Sequence, residues 1–403
     1  MGYPVKSAIR LCPVCENDKA EVLHHQRFVI PPHHHLPAHY DVVCCVSCKF
    51  VYVDTSATQT VYDAYYESFS KYESSNSSGS GSNPLDASRL QQTAAAIHEK
   101  INDLNASILD IGCANGGLLV ELQKLGYSKL TGLDPSQGSV TFVRDRLGLM
   151  AFKGGLFTSF FSEEESKQGE KYDVIILSHV MEHVLDLGGA INAVLRRLKD
   201  NGCLYIEVPD ASRYDEHFVV PYYYFDCEHI NHFDQLALRS LCEKHGLAFL
   251  GSGTKNLQVT EHLNYPAAYG FFKKAQQNHV SQLSCGTEVR KSVLAHCAQS
   301  DARTSIYDQL EHLKNTGEEL LVWGAGSYTL RLLETTALGG CNIKAFVDQD
   351  PVKQGSYILG CPVIAPSDAA ELNGKIVICS ALHHGEIIST INNLKMLNEL
   401  LVL

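Results

Sequence analysis

Residues 108–117 read ILDIGCANGG, and this stretch limits what the chain can fold into more than any other. The short apolar run Ser107–Ile111 leads directly into Gly112-Cys113-Ala114-Asn115-Gly116-Gly117, and a helical pattern follows over Leu118–Leu125. A buried strand entering a glycine-rich turn and then a helix is the first unit of an open parallel sheet. Ligands of such sheets lie beyond the carboxyl ends of the strands. Glycines in the turn let the backbone take positive φ and approach a ligand closely. The next strand, Leu130–Leu133, ends at Asp134, placed to accept the protons of two ribose hydroxyls. The dinucleotide pattern G-x-G-x-x-G is not met, because Gly112 and Gly116 are separated by three residues.

The same logic continues along the chain. Val174–Leu177 and Leu204–Val208 read as strands, with a helix over Gly189–Leu198 between them. Apolar strands alternating with helices imply a parallel sheet covered on both faces. A second, smaller set begins with a helix over Ser305–Thr316. Strands follow at Glu319–Trp323, Ile343–Val347 (ending at Asp348) and Lys375–Cys379. The first enters Gly324-Ala325-Gly326, but Thr329 stands where a dinucleotide turn has its third glycine. Ahead of both sets, the Ser/Gly stretch Ser74–Asn83 reads as a connection, and a helix begins near Pro84 and runs toward Ile101. A chain of 403 residues with 45% hydrophobic residues has material for two or three cores. The expected organisation is an N-terminal module over 1–56, a linker and helical segment over 57–99, a central α/β domain over 100–270 and a smaller α/β domain over 271–403.

The N-terminal module carries Cys12-Pro-Val-Cys15 and Cys45-Val-Ser-Cys48, two C-x-x-C pairs with 29 residues between them. That spacing suits a closed tetrahedral site of four thiolates, so structural zinc on Cys12, Cys15, Cys45 and Cys48 is expected, in a zinc-ribbon-like module. A redox role for one pair is the alternative, and Cys44 is a substitute ligand that would lose the two-residue gap. The run His33-His34-His35, flanked by prolines, reads as a solvated loop. Met1–Arg10 has no apolar core of a signal peptide, and no stretch reaches the roughly 18 apolar residues of a membrane span. With 14 cysteines, this favours a reducing cytoplasm over a disulfide frame. A net charge of −12 argues against nucleic acid as a partner.

The turn at 108–117 resembles the first motif of class I methyltransferases, with Ala114 in place of the usual middle glycine. Three further segments, in the right order, are similar to that family: Tyr172–Ser178, the following HVMEHVLD over 179–186, and LRRLKDNGCLYIEVP over 195–209. The resemblance implies S-adenosylmethionine as cofactor. It would be bound by Asp110, Gly112, Cys113, Ala114, Asn115, Gly116, Asp134, Ser178, His179 and His183, with Phe157 a neighbour of the adenine. His179 and His183 share a face if that segment is a helix. H-E-x-x-H is absent, so a metal there is not expected.

A four-cysteine module, a class I core and a third α/β domain together resemble the deoxysugar C-methyltransferase family over nearly the whole chain. The likeness includes YYYFDCEHINHF over 222–233, with its E-H-x-x-x-F core, and Tyr72-Glu-Ser-Ser75. It implies a nucleotide-linked keto-sugar as substrate, its nucleotide held between the core and the C-terminal domain, with a helix N-terminus there facing phosphate. Methylating carbon requires removal of a proton next to a ketone. His229 is then the base and Glu228 its orienting or sugar-binding neighbour, with Tyr72 and Tyr224 hydrogen-bonding to the developing enolate. Both Glu228 and His229 can serve only from a loop, because neighbours on a strand face opposite ways. Asp226 stands where the family has a tyrosine, and Tyr224 is displaced by two positions, so either the substrate differs from a 3-keto-deoxysugar or Asp226 takes another role. O- or N-methylation of another small molecule is the alternative, and a macromolecule-binding protein is a third. The expected partners are a small molecule, with no nucleic acid and no membrane, and the chain a monomer or homodimer.

Overall fold

The computed structural model describes residues 3–31, 36–68, 80–81, 83–157, 171–260, 263–275 and 284–403. Three sheets organise them. The N-terminal sheet runs β1 (Val5–Ser7), β2 (Lys19–Arg27), β3 (His39–Cys45) and β4 (Val51–Asp54), antiparallel throughout. Its fifth strand comes from far along the chain, where Asn231–His232 pairs with Tyr52 and Val51.

The expected helix over 84–101 is present as Pro84–Ile101. Asn83 caps it by accepting Leu85 N–H at 2.8 Å, Pro84 occupies the first turn where its missing N–H costs nothing, and Leu90, Ala94 and Ile97 bury one face. The central sheet then contains β5 (Ser107–Ile111), β6 (Lys129–Asp134), β7 (Met150–Lys153), β8 (Tyr172–Ser178) and β9 (Leu198–Pro209), all parallel. Strands β5, β6 and β7 step one way, and the chain then crosses to place β8 on the other side of β5. The carboxyl ends of β5 and β8 therefore flank the topological switch point, where ligands of such sheets bind.

The sheet is not wholly parallel, as the sequence pattern implied. Asn231–His232 is the tenth strand, β10. A long hairpin follows, β11 (Leu247–Thr260) and β12 (Leu263–Lys274), and it adds two antiparallel strands beside β9. Its alternating exposed residues, such as Ser252, Thr254 and Asn256, show a strand with one face toward water, unlike the apolar runs of β5 and β8.

The C-terminal domain repeats the parallel core on a smaller scale: β13 (Leu320–Trp323), β14 (Ile343–Val347), β15 (Tyr357–Ile358), β16 (Cys361–Ile364), β17 (Lys375–Ile378) and β18 (Leu400–Val402). Only the short pair β15–β16 is antiparallel. The helix expected over 305–316 is a short 3₁₀ turn, Thr304–Tyr307, followed by an α-helix, Asp308–Thr316.

The N-terminal module is built into this assembly. One continuous apolar core joins Val42, Val51 and Val53 of its sheet to Phe225 and Ile230 and to Leu330 and Leu332 of the C-terminal domain. Val29 N–H donates to Leu330 C=O at 2.9 Å. Arg290 holds Glu21 through two hydrogen bonds of 2.7 Å each. Among the described residues no helix is long and apolar enough to cross a membrane.

Candidate active site and cysteine cluster

The turn after β5 requires its glycines. Gly112 has φ +78°, and a Cβ there would lie 2.8 Å from Val180 Cγ2, so the turn and the segment after β8 touch directly. Gly116 has φ +77°, and a Cβ there would meet Val143 and Leu147 at 2.9 Å. Ala114, where a glycine is usual, takes the left-handed conformation all the same, at φ +45°. Holding an alanine there costs about 1–2 kcal/mol. The conformation is fixed from outside: Ala114 N–H donates to Asp134 Oδ2 at 2.8 Å. Asp134 Oδ1 accepts Ser136 N–H at 2.9 Å. Asp110 lies beneath the turn, and burial, together with the nearby Asp134 charge, pushes its carboxyl up to about 8. The Cys113 thiol is turned inward, where a Cβ on Gly132 would come 2.6 Å from its sulfur, so Cys113 offers the site its backbone only. Asn115 is buried, whereas Phe157 is exposed on the surface at the end of the described run after β7.

Ser178 ends β8 and the chain reverses at His179, which has φ +56°. The segment after it is not the α-helix that a shared face for His179 and His183 presumed. It is a single 3₁₀ turn, Met181–His183. What joins the two histidines is the residue between them. Glu182 is 1% exposed, and its Oε1 lies 3.1 Å from His179 Nδ1 and 4.0 Å from His183 Nε2. Glu207 Oε1 approaches His179 from the other side, 3.4 Å from Nε2. Burial by itself would lower the His179 pKa, but the two carboxylates outweigh it and raise it to about 9.

Glu207 is fully buried in β9, with its second oxygen held by Lys255 and the Tyr205 hydroxyl, while Lys255 also donates to Thr93 at 3.0 Å. Burial works to raise the Glu207 carboxyl, and the charge of Lys255 with the His179 contact holds it well below the usual carboxylate range. Glu182, Glu207, Lys255 and Thr93 were not identified from the sequence. A carboxylate inside an apolar strand, as in LYIEVP, was the available signal for Glu207. Glu182 stood between the two histidines that were identified.

The segment 222–233 is irregular up to Asn231, so Glu228 and His229 are not forced to opposite faces. His183 Nδ1 lies 3.0 Å from the Glu228 carbonyl, and the rings of His183 and His229 meet edge to face at 5.0 Å. Ligand atoms of Glu182, His183 and His229 all lie within 4.8 Å of one another. Burial, then the neighbouring His183, lowers the His229 pKa to about 4, so its imidazole is neutral near pH 7. Glu228 is buried and its Oε1 accepts the Tyr65 hydroxyl at 2.6 Å. Asp226 lies close by, with Oδ1 3.4 Å from Glu228 N. Tyr40 fixes the loop from behind, donating to the carbonyls of Phe225 and Asp226 at 2.9 Å.

Of the two tyrosines expected at the enolate, Tyr224 stands differently. Tyr224 is 1% exposed, donates to the His217 carbonyl at 2.6 Å and stacks on Tyr214 at 3.8 Å. It belongs to the core because the aromatic run turns inward after Pro221. Tyr72 and Ser75 lie outside the described residues, as does the His33–His35 run. Tyr65, one helical segment earlier, is the phenol that reaches the Glu228 carboxylate, and no feature of the sequence distinguished it from its tyrosine neighbours.

The cysteine pairs fold as two matching turns. Glu16 N–H returns to Cys12 C=O at 2.8 Å and Lys49 N–H to Cys45 C=O at 3.1 Å, with Glu16 and Lys49 both at positive φ, +65° and +70°. Cys12 Sγ and Cys48 Sγ are 3.5 Å apart, as are Cys15 and Cys45, and all four sulfurs lie within 4.8 Å. All four are free thiols. A tetrahedral ion with bonds near 2.3 Å wants sulfurs about 3.8 Å apart, so the donor set fits zinc.

Comparison with known proteins agrees with this geometry. Residues 86–250 match a family model described as a methyltransferase domain, and residues 295–396 match one described as a C-methyltransferase C-terminal domain. A ubiquinone biosynthesis O-methyltransferase of Bradyrhizobium diazoefficiens is 30% identical over 131 residues, covering 31% of this chain and 50% of that protein. A malonyl-[acyl-carrier protein] O-methyltransferase of Acetivibrio thermocellus is 30% identical over 98 residues, 24% of this chain and 33% of that one. The chain spans about half, or less, of the length of the curated relatives it matches. Among solved structures, coclaurine N-methyltransferase aligns over 54% of this chain and 83% of its own with a TM-score of 0.40 at 13% identity. Residues 86–250 are thus similar to a methyltransferase domain and residues 295–396 to a C-methyltransferase C-terminal domain.

Proposed function

We propose that the protein methylates a carbon atom of a nucleotide-linked keto-deoxysugar. The observation that carries this is the Glu228-His229 loop, which brings a half-buried, neutral imidazole among the carboxylates of Glu182, Asp226 and Glu228. The match of residues 295–396 to a C-methyltransferase C-terminal domain supports it.

S-adenosylmethionine supplies an electrophilic methyl group on a sulfonium. The turn 112–116 and Asp134 bind its nucleoside half, with Asp110 and Asn115 supporting the turn, Phe157 beside the adenine, and Ser178, His179 and His183 closing the pocket. His229 takes the proton from the carbon next to the ketone. The C–H electron pair would become the enolate, whose carbon would form its new C–C bond as the S–CH₃ bond of the sulfonium breaks onto sulfur. Tyr65 and Glu228 position a sugar hydroxyl, with Asp226 at their side, and Tyr72 remains the candidate donor to the enolate oxygen. Zinc held by Cys12, Cys15, Cys45 and Cys48 is closed to substrate, so its contribution is to folding.

The C-terminal turn supports a nucleotide contact. Ala325 N–H donates to Asp348 Oδ2 at 2.8 Å, the same arrangement as Ala114 with Asp134, at the start of the helix Ser327–Thr335. Incubating the enzyme with a nucleoside-diphosphate keto-sugar deuterated next to its ketone tests the proposal. Loss of carbon-bound deuterium with the new methyl group supports C-methylation. Methylated product that retains all label assigns O- or N-methylation, the reading favoured by the O-methyltransferase relatives.

A further inference from the structure

We infer that Glu182 is a positioning residue for His229, a buried carboxylate that orients the imidazole and supplies its counter-charge when it takes a proton. The inference rests on His229 as the base proposed above.

Glu182 is buried on all sides, yet only half of its carboxylate is used. Oε1 is held by His179, while Oε2 has no hydrogen-bond partner among the described residues. A buried carboxylate oxygen without a partner is costly to keep. Its surroundings show what is missing. The Glu228 carbonyl can only accept a hydrogen bond, so His183 Nδ1 carries a proton toward it, and His183 Nε2 is the nitrogen that faces Glu182, 4.0 Å from Oε1. That Nε2, the Glu182 carboxylate and a nitrogen of His229 converge within 4.8 Å. Two imidazoles and a carboxylate thus share one small volume. Delivering a proton to His229 converts a repulsive arrangement into an imidazolium–carboxylate pair, which is how the aspartate of a Ser-His-Asp triad assists its histidine.

The other titratable groups facing His229 set the balance. His183 opposes its protonation, while Asp226 and Glu228 favour it, the latter already engaged by Tyr65. Glu182 is the carboxylate with an oxygen to spare. His179 holds Oε1, the oxygen that also lies 4.0 Å from His183 Nε2, and so fixes the carboxylate beside the cluster.

The test uses the full-length protein, labelled with ¹⁵N-histidine and saturated with S-adenosylhomocysteine. The His229 resonances are assigned by their loss in His229→Asn. Glu182→Gln keeps the shape and removes the charge, and the His229 midpoint is expected to fall by about one pH unit or more. Glu182→Asp keeps the charge and should give a midpoint between the two, which preserves the comparison if the glutamine variant folds poorly. An unchanged His229 midpoint in both variants overturns the inference. So does a second divalent metal beyond zinc, present in wild type at one equivalent and lost in Glu182→Gln, because the cluster would then be a cation site. Label release from the deuterated sugar by His229→Asn at the wild-type rate would instead remove His229 as the base. It would leave the Glu182–His229 coupling to stand or fall on the titration.

Discussion

The carboxylate of Asp134 accepts the backbone N–H of Ala114 at 2.8 Å. The end of β6 thereby dictates the shape of the turn after β5. A non-glycine residue holds a left-handed conformation there because a buried charge-assisted hydrogen bond offsets the strain. Asp134 thus shapes the turn, and with the ribose contact proposed above Asp134→Ala should weaken S-adenosylhomocysteine binding about 10- to 100-fold, as hydrogen bonds to a charged group allow. Isothermal titration measures it. Binding within twofold of wild type would remove Asp134 from the cofactor site.

Gly112 tests the contact between the turn and the segment after β8. A methyl group at Gly112 would lie 2.8 Å from Val180 Cγ2, on a backbone already at φ +78°. Gly112→Ala is expected to lose cofactor affinity and to lower the melting temperature, with strain of about 1–3 kcal/mol. The same substitution at Gly155, where a Cβ meets nothing within 4 Å, should leave melting close to wild type. Equal melting temperatures for the two variants would contradict the contact.

The Glu207–Lys255 pair is buried in β9 and the hairpin, so removing one partner strands a charge. Lys255→Met alone should destabilise by about 3–5 kcal/mol, and adding Glu207→Gln should recover much of the loss. Chemical denaturation of the two single variants and the double variant gives the coupling. Strictly additive effects would argue against the pair.

His179 sets the alkaline side of the stability profile. Its pKa is raised in the folded state, to about 9 from an ordinary value near 6.5, so its contribution is complete below about pH 6.5 and is lost as pH rises through about 9. Glu207 acts on the acid side. Its carboxyl is lowered in the folded state, so its contribution is present above its ordinary value and is lost as pH falls. Melting of the wild type should therefore drop more steeply between about pH 7 and pH 9 than melting of His179→Gln. Parallel profiles would show that the histidine is uncharged in the fold.

Zinc is expected to hold the two cysteine turns together. Because the N-terminal sheet shares a core with the C-terminal domain, Cys45→Ser should lower stability well beyond the module itself. One equivalent of zinc in the purified protein, lost in Cys45→Ser with a fall in melting temperature, is the expected result. A metal-free wild type that melts at the same temperature would exclude the role.

The sequence by itself determined the elements and the turn. Strand β5, the helix Pro84–Ile101 and strands β13 and β14 follow from local apolar pattern, capping residues and glycine placement, which act over a few residues. The C-x-x-C spacing likewise determined the two cysteine turns. Only the tertiary structure decided which side chains meet. Tyr224 read as a site residue and is core, because the run after Pro221 turns its ring onto Tyr214. Tyr65, Glu182, Glu207 and Lys255 carried little local signal, since what distinguishes them is burial against partners 3 to 163 positions away. The antiparallel hairpin over 247–274 and the strand β10 in the N-terminal sheet are decided the same way. Pairing between distant segments depends on surfaces that exist only once the chain has folded.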